Sequence, residues 1–234
     1  MPKILNAFDI KIIAAIAMVI DHIGYLLLPN MFFLRMIGRL SFPLFAWMIA
    51  NGALHTRSID KYLERLLVFA VISQAPSYFF KTQTNPSFMG LNVLFTLFFG
   101  LLAIKGARKD ISKLKKLLFI MLCVGTAQFL GVEYGGAGVL SVLAFYLFFN
   151  NAKYLAISQS CIFILPYLAV VIPPFFVSTL SKINLAIFNE PLGLISLPLI
   201  FAYNGNEGKK LKYFFYFFYP LQFIAIIILK AVIK

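Results

Sequence analysis

The feature that most constrains this chain is a series of long apolar runs that follow one another along almost its whole length. Turn-forming residues such as Pro29-Asn30 and Pro173-Pro174 separate them. About 20 apolar residues make a helix long enough to cross the hydrocarbon core of a bilayer. The runs are Asp9–Leu28, Met31–Ala53, Ile59–Phe80, Leu91–Ile104, Leu114–Leu130, Gly136–Phe149, Tyr154–Ile172, Leu185–Tyr203 and Tyr213–Val232. The sequence therefore predicts an all-α, polytopic membrane helix bundle that forms a single domain over residues 1–234.

The number of runs predicts about nine transmembrane helices, within a range of about eight to ten. The stretch 174–191 has room for an extra half-helix. The first run is interrupted by Lys11 and ends in Asp21-His22 rather than in a small-residue cleavage site, so we interpret it as a retained span and not as a signal peptide.

Composition excludes the main alternatives to a membrane protein. Of 234 residues, 62% are apolar and 12% are charged, whereas an average soluble domain has about 45–50% and about 25%. So few charged side chains cannot cover the surface of a water-soluble globule or keep a chain disordered. The two cysteines, Cys123 and Cys161, lie inside apolar runs and do not suggest a disulfide framework.

The basic residues behind the net charge of +13 are concentrated in alternate loops between the apolar runs. If the N-terminus is cytoplasmic, the inner loops hold 14 of the 21 basic residues: Lys3, Arg57, Lys61, Arg65, Lys105, Arg108, Lys109, Lys113, Lys115, Lys116, Lys153, Lys209, Lys210 and Lys212. Cytoplasmic loops of membrane proteins are enriched in Lys and Arg. The pattern predicts a cytoplasmic N-terminus and an outer C-terminus, and we do not interpret the charge as a nucleic-acid site.

A few charged residues lie inside the runs. An ionisable side chain at the centre of a span costs about 2.5–3.5 kcal/mol, so such residues are candidates for function. Asp21 and His22 lie about two-thirds of the way along the first run, and Arg39 lies near the outer end of the second. We expect Arg39 to pair with Asp21, which would otherwise protonate, and His22 to transfer protons. The alternative is a structural Asp21–Arg39 pair beside a hydrogen-bonded histidine.

A second candidate site lies at the cytoplasmic end. His55 follows Asn51 by four residues, and Arg57, Lys61 and Arg65 are spaced so that an early helix start would align them in one basic stripe. Such a stripe could hold the phosphates of a nucleotide-like donor, although topological anchoring also explains it. Asn92 and Thr96, one turn apart, are candidates to line a cavity, and Tyr134 lies in an outer loop near Asp21. No metal-ligand spacing and no nucleotide-binding loop occurs in the sequence.

Several motifs together resemble the TraX family of membrane proteins. They cover nearly the whole chain and include an Asp-His pair in a span followed by Gly-Arg-x-x-Phe-Pro-x-Phe. The matching segments are Lys11–Gly24, Gly38–Ala46, Asn51-Gly52, His55–Arg57, Lys61–Leu63, Arg65-Leu66, Ser73–Pro76, Leu91–Leu97, Tyr134-Gly135, Gly138–Leu140, Tyr203–Gly205, Lys212-Tyr213 and Phe218–Leu221. One departure is Gln222 in Tyr219-Pro220-Leu221-Gln222, where the resemblance leads us to expect a histidine.

The namesake of that family acetylates the N-terminus of pilin. The resemblance therefore implies a multi-pass acyltransferase of the bacterial cytoplasmic membrane that takes acetyl groups from acetyl-CoA, without a metal. It implies that His22 is a general base or transient acyl carrier oriented by Asp21 and Arg39. It leaves the acceptor open: a pilin-like peptide, a glycan or a lipid.

The same resemblance assigns the other candidates to binding. His55, Arg57, Lys61 and Arg65 would contact CoA, while Asn92, Thr96, Tyr134, Asn204 and Tyr219 would contact the substrate or its oxyanion. A different class of function also stays open, namely a secondary transporter or proton-coupled permease in which Asp21, His22 and Arg39 relay protons.

Overall fold

The computed structural model describes residues 2–171 and 185–233, and all regular structure in these residues is helical apart from two isolated bridges. The α-helices are α1 (Ala7–Leu26), α2 (Phe32–Gly38), α3 (Ser41–His55), α4 (Ile59–Thr82), α5 (Val93–Arg108), α6 (Lys113–Phe129), α7 (Gly135–Leu147), α8 (Ala152–Val171), α9 (Leu197–Phe201) and α10 (Lys212–Ile233). A 3₁₀ helix, Leu185–Ser196, precedes α9. The all-α prediction is confirmed.

Polar residues between the apolar runs start the helices. Asn6 caps α1 through a reciprocal box in which its side chain and that of Asp9 each accept a backbone N–H at 3.0 Å. Ser58 and Ser112 cap α4 and α6 with one bond each, because their hydroxyl oxygens accept from Lys61 N and Lys115 N. These caps satisfy backbone donors that a helix start leaves unpaired, which explains why most helix boundaries lie within a few residues of the predicted runs.

The second predicted run, Met31–Ala53, is not one helix. It divides into α2 and α3, and the break falls at Arg39-Leu40. Pro43 is the physical reason, because it has no N–H to donate to the carbonyl of residue 39 and its ring crowds that carbonyl. The run still corresponds to one candidate membrane span, Phe32–His55, with this break inside it.

The eighth predicted run, Leu185–Tyr203, also differs from a continuous α-helix. It forms the 3₁₀ helix and the short α9. Pro191 lies inside the 3₁₀ segment and Pro198 in the first turn of α9, so two backbone donors are missing from a short stretch. Most of the possible half-helix at 174–191 falls on 172–184, outside the described residues.

Within the described residues, two helical stretches are long and apolar enough to cross a membrane by length and composition: Phe32–His55, which contains the break between α2 and α3, and Tyr213–Ile233. Shorter apolar helices are Gly135–Leu147, Ala152–Pro166 and Glu190–Phe201.

The helix bundle has two opposite ends, at which the helices begin or finish. At the end that we call the basic end, α1 begins, α3 ends and α4 begins; Lys105 pairs there with Asp60, and Arg108 Nη1 donates to the carbonyl of Ala53 at 3.1 Å. At the opposite end, which we call the pocket end, the loop before α5 joins the loop before α7. Leu91 and Val132 form a parallel bridge, with Glu133 N donating to Leu91 O at 3.0 Å. This bridge holds the loop before α7 over the interior of the bundle.

Candidate functional site

The pocket end of the bundle contains a carboxylate held by two arginines. Arg35 Nη1 lies 2.6 Å from Asp21 Oδ2, and Arg39 Nη2 lies 3.1 Å from Asp21 Oδ1. Arg39 Nη1 in turn contacts Glu190 Oε1 at 2.6 Å. The Asp21 and Arg39 side chains are 12% and 11% exposed. The predicted Asp21–Arg39 contact is confirmed, and the network also includes Arg35 and Glu190.

The break between α2 and α3 makes this network possible. Arg35 lies on α2, and Arg39 lies at the break itself, so both guanidinium groups reach α1 from one short corner. Gly38 lies against Asp21 so closely that a Cβ atom at position 38 would overlap the Asp21 carboxylate. Glycine at 38 therefore allows α2 to approach α1 at this point.

Replacing Gly38 with alanine should displace Asp21 and destabilise the protein by about 1–3 kcal/mol, the usual cost of overpacking. Gly125→Ala is the matched control, since a Cβ at position 125 meets nothing within 4 Å. Thermal unfolding in detergent measures both variants. Equal stability of the two would show that the close approach at Gly38 is not needed.

His22 lies next to this network but faces a different helix. Its Nδ1 is 3.3 Å from Gln222 Oε1 on α10. Its ring packs against Phe80 and Phe223, at centroid distances of 5.2 and 4.7 Å. Asp21 does not orient the ring directly in these contacts, because neighbours on a helix point about 100° apart. The polar side chain that contacts the imidazole is that of Gln222, at the position where a histidine was expected.

A pocket at this end brings the candidate residues together. It encloses about 690 Å³, counting the open space at its mouth. Its polar lining residues are Asp21, His22, Ser41, Glu133, Tyr134 and Tyr219, and its apolar ones are Met18, Gly38, Phe42, Phe45, Val93, Leu94, Leu97, Phe215 and Phe218. The prediction that Tyr134 lies near Asp21 is confirmed.

Glu133 and Tyr134 are held in the pocket wall by several contacts. Thr96 Oγ1 donates to the carbonyl oxygen of Glu133, and Lys81 Nζ lies 2.9 Å from Glu133 Oε2. Tyr134 has a positive φ of 66° and stacks on Phe42 with a centroid distance of 3.8 Å. A left-handed conformation at a tyrosine is unusual and costs about 1–3 kcal/mol, so the surrounding contacts must enforce it.

The pair between Glu133 and Lys81 makes stability depend on pH. Burial disfavours the charge of Glu133, but the Lys81 ammonium together with His22 and Arg39 outweighs burial, so the pKa of the carboxyl lies below its ordinary value of 4.5. A lowered folded-state pKa gives stability that is present above the unfolded value and is lost as pH falls through the folded value. The gap in melting temperature between wild type and Glu133→Gln should therefore shrink in acid.

Melting curves between about pH 7 and about pH 3 test this expectation. Glu207→Gln is the control, because Glu207 is 70% exposed in its pair with Lys210 and such pairs contribute little. A difference in melting temperature between wild type and Glu133→Gln that stays constant with pH would contradict the expected loss of the Glu133–Lys81 pair in acid.

Some predicted substrate residues lie elsewhere. Asn92 is the N-cap of α5 and is completely buried; its side chain accepts from Leu94 N and donates to Ala70 O and to Gln74 Oε1. Its hydrogen-bonding groups are used within the protein, and it does not line the pocket. Thr96 does not line the pocket either. Its hydroxyl donates to the carbonyl of Glu133, which belongs to the pocket wall. Both side chains hold loops instead of lining this pocket, and their expected contact with the substrate stays a prediction.

Asn204 also lies apart from the pocket. Its backbone N–H donates to Leu5 O at 2.8 Å, at the basic end of the bundle. About 16 residues of α1 separate that end from His22, which corresponds to about 24 Å of helix. Only Tyr134 and Tyr219 among the five substrate candidates line the pocket with His22.

The residues expected to bind the acetyl donor lie together at the basic end, but they do not form one stripe. α4 begins at Ile59 after its cap Ser58, so Arg57 precedes the helix and the alignment expected from an early start was wrong. Lys61 is exposed, whereas Arg65 is half-buried with its guanidinium 5.8 Å from the centre of the Tyr62 ring. His55 is exposed at the end of α3, with Nδ1 2.8 Å from Asn51 O.

The described residues define a class: a helical bundle whose pocket places a histidine beside an ion-paired carboxylate. The chain belongs to the TraX family, since the family model described as TraX protein matches residues 7–230. This confirms the resemblance found in the sequence.

Two relatives are similar to this chain. It is 29% identical to the probable fimbrial assembly protein FimC, serogroup H1, of Dichelobacter nodosus, over 93% of this chain and 92% of that protein. It is 32% identical to an uncharacterized protein, RP591, of Rickettsia prowazekii (strain Madrid E), over 39% of this chain and 33% of that protein. No solved structure matches the chain.

Proposed function

We propose that this protein is a membrane-embedded acyltransferase that moves an acetyl group from acetyl-CoA to an acceptor bound at the pocket end. The observation that carries the proposal is the pocket in which His22 lies with Asp21, Glu133, Tyr134 and Tyr219. Membership of the TraX family and the fimbrial assembly name of the Dichelobacter relative support it.

The side chains that the bundle exposes support the proposed membrane location. Large apolar residues face outward along α4, α6 and α10, including Val71 at 59%, Leu122 at 65% and Ile228 at 58% exposed. Water-soluble monomers rarely expose apolar patches of this extent. Exposed basic residues such as Lys61 and Lys113 lie at the basic end, as a cytoplasmic face requires. The nine-span arrangement with a cytoplasmic N-terminus is part of this proposal.

The proposed chemistry is transfer of an acyl group from sulfur to nitrogen or oxygen. The acceptor amine or hydroxyl attacks the thioester carbonyl and forms the new bond, while His22 takes the acceptor's proton and returns it to the departing CoA thiolate. A donor is needed for the oxyanion, and the Tyr134 and Tyr219 hydroxyls line the same pocket. The Asp21–Arg39 pair holds the corner of α2 and α3 that forms one wall.

The donor would enter from the basic end, with the CoA phosphates against Arg57, Lys61, Arg65 and His55. About 24 Å of α1 separates the basic end from His22, and the extended pantetheine arm must bridge this interval. The pocket already extends from His22 to Met18 on α1 and from Tyr219 to Phe215 on α10, about one helical turn toward the basic end.

Purified protein in proteoliposomes, supplied with acetyl-CoA, tests the proposal. We expect release of free CoA that depends on an added acceptor, with acetylation of that acceptor seen by mass spectrometry. A peptide with a free N-terminal amine, its N-blocked counterpart, a glycan and a lipid distinguish acceptor classes. Acetyl-pantetheine, which lacks the phosphates, should bind more weakly than acetyl-CoA. Lys61→Gln should reduce the difference in affinity between the two donors.

A transporter is the second candidate, favoured by the chain of charged groups from Asp21 through Arg39 to Glu190. Proton-coupled substrate flux in the same proteoliposomes, with no acetyl-CoA turnover by any acceptor, would replace the acyltransferase proposal by this one.

A further inference from the structure

Gln222 is the one polar side chain in hydrogen-bonding reach of the His22 ring among the described contacts. It lies on α10 and is 6% exposed. Its Oε1 faces His22 Nδ1, while its Nε2 is buried and has no hydrogen-bond partner in the described part of the chain. An unpartnered buried donor costs about 1–3 kcal/mol, so glutamine at this position is not explained by stability.

With Gln222 Oε1 as the atom that faces the ring, the contact favours one of the two His22 tautomers. A carbonyl oxygen only accepts, so the His22 Nδ1 that faces it must donate, and the neutral imidazole then holds its proton on Nδ1. Nε2 is left with its lone pair. Phe80 and Phe223 contact the ring and oppose a flip that would exchange the two nitrogens.

We infer that Gln222 is a positioning residue that selects the His22 tautomer with the proton on Nδ1. His22 Nε2 is then the atom that takes the proton from the amine or hydroxyl that becomes acetylated. The inference rests on the proposed function. It assigns to glutamine the role that a carboxylate has in hydrolase triads, where a wrong tautomer greatly reduces kcat. Asp21, although adjacent in sequence, is occupied by Arg35 and Arg39 and does not serve this role.

The tautomer can be observed without any activity. The chain has only two histidines, so protein labelled with ¹⁵N-histidine gives two ring systems, and a His55→Gln sample assigns them. In the wild type we expect His22 at neutral pH to show a protonated Nδ1 and an unprotonated Nε2. In Gln222→Met, which keeps a similar length but lacks an acceptor, the proton should move to Nε2.

Turnover measures the consequence. Gln222→Met should lower kcat about 10- to 100-fold with little change in the KM for acetyl-CoA. Gln222→Glu, which restores an acceptor for Nδ1–H, should retain the Nδ1 tautomer and most of the rate. Gln83→Met is the matched control, since Gln83 is exposed at the end of α4 beside Lys230.

The outcomes separate this inference from the proposed function. An Nε2–H tautomer in the wild type, or one that Gln222→Met leaves unchanged, overturns the inference whatever the activity. The expected tautomers with no acetyl-CoA turnover in the wild type would overturn the proposed reaction while leaving Gln222 as the group that orients the ring. A Gln222→Met protein with the shifted tautomer and full kcat would remove Gln222 from the mechanism.

Discussion

Replacing His22 with alanine should lower the rate of acetyl transfer by about 10²- to 10⁴-fold, because a positioned general base contributes that much to such reactions. The effect should fall on kcat, since His22 takes a proton in the transition state. Release of CoA and mass of the acceptor, both measured in proteoliposomes, give the rate.

Loss of the ring also removes its packing against Phe80 and Phe223, so a folding control is needed. His22→Asn keeps a polar side chain near Gln222 but cannot accept a proton near neutral pH. We expect both variants to show this loss of rate, and the asparagine variant to retain the elution profile and melting curve of the wild type. Acetyl transfer at the wild-type rate by a folded His22→Asn protein would refute the assignment of the base.

Replacing Asp21 with alanine should reduce the free energy of unfolding by about 3–5 kcal/mol. The substitution leaves Arg35 without its carboxylate and Arg39 with Glu190 alone, and breaking a buried ion pair from one side leaves an uncompensated charge. Denaturant titration in detergent measures the change.

Asp60→Ala provides the comparison, because it also removes an aspartate from an ion pair, the exposed one with Lys105. Exposed pairs contribute about 0–1 kcal/mol. If Asp21→Ala is no more destabilising than Asp60→Ala, the buried network does not stabilise the corner between α2 and α3, and its charges must serve another purpose.

The sequence was informative wherever a physical cost is local. A charge in an apolar run is expensive wherever the run packs, and for that reason Asp21, His22 and Arg39 could be identified without a structure. Helix caps such as Asn6 and Ser58 act on backbone groups two or three residues away, so helix boundaries were also predictable.

The same reasoning failed where one residue type serves two purposes. Asn92 in an apolar stretch is compatible with a cavity wall or a buried cap, and only its contacts with Ala70, Leu94 and Gln74 decide between them. The sequence did not identify Arg35 as a partner of Asp21, yet its guanidinium lies 2.6 Å from the Asp21 carboxylate. A sequence signal for it was available: Pro43 predicts a helix break that turns α2 back on α1.

What the sequence determined by itself was a chain of the TraX family, helical in its described residues, with a few charged residues inside its apolar runs and most basic residues between them. These features follow from hydrophobic periodicity and the cost of burying charge, which depend on neighbours in the chain. The tertiary structure alone decided which groups meet: Glu190 with Arg39, Lys81 with Glu133, and Gln222 with His22 across 200 positions. Contacts between residues so distant in sequence depend on how the helices pack, and no local preference encodes that packing.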